Sequence, residues 1–168
     1  FSLEIHGQTC GLTKIEGSIG LITTSANYKC GDTIPVLNDQ GNMLLPIVIT
    51  YEHQILFAKV VAINNDFYRI RLSDSVDGYL SKTNPQITFQ TWEEHVLSIS
   101  PVPFNITDNY IRKSPSSISV VISPEEDELY LPEKIKGDWL QIKWGSNENW
   151  DHGWIRWKRK NKLLIKLF

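Results

Sequence analysis

Two stretches of this chain repeat one pattern, and the repeat limits what the chain can fold into. NDFYRIRL (65–72) and GDWLQIKW (137–144) run, after a shared Asp, as aromatic, apolar, polar, Ile, basic, apolar, and DGYLSK (77–82) matches HGWIRW (152–157) further on. The interval from Phe67 to Gly78 is 11 residues and that from Trp139 to Gly153 is 14, a difference that one longer hairpin loop absorbs. Period-two alternation of this kind is strand chemistry, because successive side chains on a strand point to opposite faces. The sequence therefore predicts two copies of one β unit.

The rest of the chain fits that reading. Short runs rich in β-branched and aromatic residues alternate with Gly, Pro, Asn and Asp clusters, giving expected strands over 18–24, 33–37, 43–51, 55–63, 67–72 and 78–81. The second half offers strands over 117–122, 129–135, 139–144, 153–157 and 163–168. DQGN (39–42) reads as a tight turn between two of them. TWEEH (91–95) breaks the pattern: Thr91 is placed to cap a helix and Glu94, three residues on, to complete a capping box, so a short helix over 92–98 is expected as a connector. SPVPFNITDN (100–109) suits a linker or entry loop.

Alternation also assigns faces. In WLQIKW, Leu140, Ile142 and Trp144 are expected in the core, with Trp139, Gln141 and Lys143 outside; Ile155 and Trp157 follow the core set and Trp154 and Arg156 the outer one. In the first copy Tyr68, Ile70, Leu72 and Leu80 point in, while Phe67, Arg69, Arg71 and Tyr79 point out. The bland outcome is that loops cover the outer aromatics, since most aromatics exist to bury area. The functional outcome is an apolar platform of Trp139 and Trp154, meeting across the ladder and rimmed by Tyr110, Arg112 and Trp150, suited to a peptide or a sugar ring. Trp150 is expected to be open because GSNENWDHG (145–153) reads as a polar loop.

Composition narrows the function classes. The chain has 168 residues, 41% hydrophobic and 21% charged, with a net charge of -2. That balance belongs to a globular protein and disfavours a general nucleic-acid binder. No apolar run approaches the roughly 18 residues a spanning helix needs, the longest being interrupted by Pro46 or Lys59, so no transmembrane segment is expected. Charge is segregated, with Arg156, Lys158, Arg159, Lys160, Lys162 and Lys166 following His152 without an acid, and Glu125, Glu126, Asp127 and Glu128 in one run. A solvated turn is the plain explanation of each; attraction of the basic turn to an anionic partner is the sharper one.

Chemistry-bearing motifs are missing. There is no phosphate-cradling glycine loop, His-Glu-x-x-His or Cys-x-x-Cys, and no cofactor or metal is expected. His6 and Cys10 make at most half a metal site. A nucleophilic Cys–His pair needs Cys10 or Cys30 beside His53 or His95 with no local signature for it. Asp74 and Asp77 are accounted for by a hairpin turn, and Asn105-Ile106-Thr107 is a formal glycan acceptor. Cys10 and Cys30 are expected to form a disulfide that contributes about 3 kcal/mol, which fits an oxidising compartment; the alternative is two free thiols.

GDWLQIKW followed by HGWIRW resembles the strand, turn and Gly-aromatic-aliphatic order of bacterial Src-homology-3-like (SH3-like) domains. NYIRKSPSS (109–117) resembles that family's opening Asn-x-Arg-x-x-Pro-Ser segment, with Arg112, Pro115 and Ser116 in register, Tyr110 at the Asn position and Asn109 one residue earlier. The resemblance covers 109–168 well and 18–85 more faintly, where NYKCGDT (27–33) lacks the Arg and Pro. It implies an all-β chain of two small SH3-like barrels with a short connecting helix: a first barrel with an N-terminal extension over 1–86, a connector over 87–102 and a second barrel over 103–168. It also implies a non-catalytic binding module of the bacterial cell envelope, exported to the periplasm or cell surface, that recognises cell-wall peptide, glycan or an envelope protein. Phe1 opens no charged n-region or apolar stretch, so any export signal is expected to have been cleaved or to lie outside this sequence. The other reading is a structural or targeting accessory domain with no small ligand of its own.

Overall fold

The computed structural model describes residues 15–48, 58–73, 75–124, 128–146 and 149–167. They are mostly strand, with one helix among them, so the all-β expectation holds. The chain divides into two units, one built on Gly17–Trp92 and the other on Glu93–Phe168, with residues 15 and 16 belonging to the second.

The first unit is an antiparallel sheet of seven strands: β1 (Gly20–Thr24), β2 (Thr33–Leu37), β3 (Met43–Val48), β4 (Ala58–Ile63), β5 (Phe67–Ser73), β6 (Val76–Ser81) and β7 (Ile87–Thr91). Their order is β3-β2-β6-β5-β4-β1-β7. β2 shows why the sequence folds this way: Ile34 and Val36 are fully buried while Thr33 and Pro35 are exposed, a strict period of two. Ile22, Ile47, Val60, Ile70 and Leu80 bring the same core face from the other strands, each contributing about 2 kcal/mol of burial. Tyr68 and Phe89 stack against that core with ring centroids 5.3 Å apart. The expected DQGN turn is present: Asn38 Oδ1 accepts from the amides of Gln40 and Asn42, and Gly41 takes a φ of 81° that a β-carbon would resist. Expected strand residues 49–51 and 55–57 lie outside the described residues.

The helix, α1, spans Trp92–Ser98 as the capping residues predict. In the second unit β8 (Leu131–Lys136), β9 (Trp139–Ser146) and β10 (Asn149–Arg156) form an antiparallel meander, and β11 (Lys158–Arg159) pairs with β12 (Lys162–Leu163). Leu140, Ile142, Ile155 and Trp157 are fully buried, and Trp144 is nearly so, as alternation required. The Trp157 indole N–H donates to the Gly137 carbonyl at 2.9 Å, which satisfies a donor that would otherwise be stranded in the core. Three expectations are corrected. The 117–122 strand is only a bridge at Val121, because Ser114 to Ser119 make a turn tied by Ser119 Oγ. The 163–168 strand ends at Leu163 apart from a bridge at Ile165. The 145–153 stretch is not a loop throughout, since β10 begins at Asn149 and takes in Trp150.

β4, β5 and β6 of the first unit and β8, β9 and β10 of the second share a pairing register. Ile70 faces Gly78, Arg69 faces Tyr79 and Tyr68 faces Leu80 in the first; Ile142 faces Gly153, Gln141 faces Trp154 and Leu140 faces Ile155 in the second. The ladder to the preceding strand slips at the same place, between Val60 and Ala62 and between Pro132 and Lys134. On the far side Leu37 pairs with Tyr79 and Arg112 with Trp154. The barrel expectation is not met in the same way. Among the described residues no pairing joins β3 to β7, so the first sheet is open, and the second unit consists of a three-stranded sheet, a two-stranded one and isolated bridges.

Within the second unit, His95 is buried on α1, and burial lowers its pKa below the ordinary histidine value of about 6.5. A native state that keeps this imidazole neutral holds fewer protons than the unfolded chain. Its contribution is present above that value and is lost as pH falls through the depressed native pKa. The urea midpoint of the second unit is expected to fall between pH 7.5 and pH 5.5, a window chosen to lie above most carboxylate titration and flattened in His95→Gln.

Candidate binding face

Alternation puts Trp139, Gln141 and Lys143 of β9 and Trp150, His152, Trp154 and Arg156 of β10 on the face opposite the core. The bulge between Pro132 and Lys134 returns Lys134 and Lys136 of β8 to the same face, opposite Gln141 and Trp139. The pairing sets these residues opposite one another and apart from the fully buried Leu140, Ile142 and Ile155, but the open aromatic platform is not found. Trp139 and Trp154 are each only 9% exposed. Across the ladder Trp139 meets Arg156 and Trp154 meets Gln141, so the two indoles are diagonal neighbours instead of directly opposed.

Cations roof these rings. The Arg156 guanidinium lies 4.6 Å from the Trp139 centroid, Lys143 Nζ lies 4.8 Å from that of Trp150, and Lys134 Nζ lies 5.9 Å from that of Trp154. Register explains each contact: Arg156 is the direct cross-strand partner of Trp139, Lys143 is diagonal to Trp150, and Lys134 reaches over Gln141 to Trp154. Gln141, between Lys134 and Trp154 in the ladder, has its side-chain oxygen buried without a hydrogen-bond partner. Trp150 is half-buried in β10, paired with Gly145, where the sequence reading expected an open loop residue.

The rim residues divide. Tyr110 is 51% exposed. Arg112 is spent on structure: its backbone exchanges two hydrogen bonds with Trp154, and its guanidinium donates to the Ser119 carbonyl at 2.7 Å, closing its own hairpin. Asn109, which the motif places one residue early, is buried. Its amide donates to the Arg156 carbonyl at 2.7 Å and its oxygen accepts from the Arg156 amide at 3.0 Å. His152 Nδ1 stands 3.2 Å from Glu133 Oε2. Sequence reasoning put Lys143 on the outer face without making it part of the site and left out Lys134; their contacts with the indoles depend on the hairpin register and the bulge. The signal in the sequence is partial: Lys134 and Lys136 alternate along one strand and Lys143 alternates with Trp139 and Gln141 along the next.

In the first unit Asp77 accepts from Arg71 and lies 3.6 Å from Arg69, so it is an ion-pair residue of the β5–β6 hairpin; Asp74 lies outside the described residues. Cys30 is exposed, and Cys10, its expected disulfide partner, lies outside the described residues, as do His6 and His53. Among the described residues no group of three or more His, Cys, Asp or Glu is placed to hold a metal ion, and no helix is long and apolar enough to cross a membrane.

No family model and no curated protein matches the chain. A solved structure, NlpC2 from Trichomonas vaginalis, is similar at 13% identity with a TM-score of 0.33. The similarity covers 83% of this chain and 46% of that one, so this chain spans less than half the length of that protein.

Proposed function

We propose that the chain is a pair of SH3-like units in an exported, non-catalytic binding module of the bacterial cell envelope, and that the outer face of β8, β9 and β10 receives a cell-wall peptide, glycan or envelope protein. The observation that carries this reading is the row of indoles on one sheet face with a cation over each, a surface offering both apolar contact and charge. The common register and bulge of the two units support descent from one fold, and the resemblance of the second unit to SH3-like domains supports the envelope setting. Trp150 is the anchor, because it keeps more exposure than Trp139 or Trp154.

Co-sedimentation with isolated bacterial cell walls tests it. Binding is expected, and Trp150→Ala is expected to weaken it roughly tenfold while leaving the urea midpoint within about 0.5 kcal/mol of the parent. Absence of binding by the folded parent overturns the reading. A second reading, an accessory domain whose aromatics serve packing alone, draws support from the near-complete burial of Trp139 and Trp154; it requires that Trp150→Ala change nothing but stability.

A further inference from the structure

The charge on this face is out of keeping with the chain. The protein carries a net charge of -2, yet the outer face of the meander presents the cations Lys134, Lys136, Lys143 and Arg156, with Glu133 and Asp138 as the adjoining acids. Glu133 Oε2 stands 3.2 Å from His152 Nδ1, and Asp138 lies 3.9 Å from Arg156. Lys134 and Lys143 instead lie over indoles, a weak hold that an incoming anion displaces without breaking a salt bridge of the fold. The first unit repeats the sign at the matched strand: Arg69 and Arg71 of β5 occupy the positions of Gln141 and Lys143, sharing the one carboxylate of Asp77.

We propose that the outer face of β8, β9 and β10 docks a polyanionic glycan, a polymer whose sugar rings carry carboxylates, with Lys134 and Lys143 as the cations that leave their indoles to meet it. This rests on the binding-module reading above and names its ligand class. Lys143 Nζ lies over the Trp150 face, 4.8 Å from the ring centroid, so a sugar ring that stacks there displaces the ammonium, which stays within reach of the ring's carboxylate. An acidic peptide is less well served, since a bound strand gains its affinity from main-chain hydrogen bonds at a free sheet edge. β9 is paired on both sides and Arg112 bridges β10 at Trp154, so the centre of this face, where the indoles and their cations lie, supplies side chains instead of a ladder; among the described residues the outer edge of β8 has no strand beside it.

The test uses the full chain and three soluble probes: polygalacturonate, neutral dextran and poly-glutamate. The expected result is binding to polygalacturonate and none to dextran. The double variant Lys134→Gln/Lys143→Gln is expected to weaken binding roughly tenfold, and raising salt from about 0.05 M to about 0.5 M to weaken it at least as much. Arg159→Gln/Lys162→Gln removes the same charge from exposed positions of β11 and β12 and is expected to change affinity less than about twofold. Equal losses in the two double variants overturn the assignment to this face. Poly-glutamate binding as tightly as polygalacturonate overturns the glycan class in favour of an acidic polypeptide. Cell-wall binding with no polygalacturonate binding overturns this inference and leaves the module reading standing, whereas loss of both sinks the two together. The urea midpoint of each variant, unchanged from the parent, separates lost binding from lost folding.

Discussion

Gly153→Ala is expected to destabilise the second unit by about 3 kcal/mol, near the upper end of overpacking costs. A β-carbon at Gly153 falls inside the contact shell of Ile111 Cγ2 and stands 3.2 Å from the Trp144 ring. Neither neighbour yields cheaply, because a β-branched γ-methyl is locked by χ1 and Trp144 is 4% exposed in the core. Gly78 is the corresponding position, with Val36 Cγ1 and the flexible end of Leu72 as its neighbours, so Gly78→Ala is expected to cost less, about 2 kcal/mol. Five of the six tryptophans lie in 139–157, so indole fluorescence in urea reports the Gly153 variant, and hydrogen exchange in β5 and β6 reports the Gly78 variant. Ile111→Ala removes the obstructing methyl, so the cycle with Gly153→Ala is expected to show a favourable coupling above about 1 kcal/mol. A Gly153→Ala variant within about 0.5 kcal/mol of the parent would mean that the close approach of the opening segment to β10 is absent.

The second large effect is expected at Asn109. Beyond Trp154, the segment that pairs with β10 turns away, and the Asn109 carboxamide replaces a strand neighbour by both accepting from and donating to the backbone of Arg156. A second contact from the same amide nitrogen reaches the Leu164 carbonyl at 3.4 Å. Asn109→Ala strands a donor and an acceptor of a part-buried backbone, each at about 1 to 3 kcal/mol, so a loss of about 3 kcal/mol is expected from urea titration. Asn109→Asp keeps the acceptor and sets a carboxylate against the Arg156 carbonyl, and is expected to fall between alanine and the parent. Equal stability of all three would show that the carboxamide does not hold the end of β10.

These sites mark how far the chain could be read in advance. The core was legible because burial on a sheet has a period of two, and Leu140, Ile142, Ile155 and Ile70 obey it without exception. The matched glycines were visible as a repeat, although the reason for them was not. That reason is a methyl group from a segment far away in sequence, at Val36 in one unit and Ile111 in the other. The helix at Trp92 was readable because capping is a local interaction. Trp150 was misread because GSNEN looks like a loop, and strand pairing with Gly145 overrides that local composition.

Amino-acid order by itself determined which side of β2, β5 and β9 faces the core, since alternation is a property of the extended backbone and needs no knowledge of neighbours. Tertiary structure alone decided how exposed the outward rings are. The roof over Trp139 and Trp154 comes from Arg156 and Lys134, which reach them only through hairpin register and a one-residue bulge. Pairing register is a relation between segments, and a bulge moves every side chain beyond it to the other face.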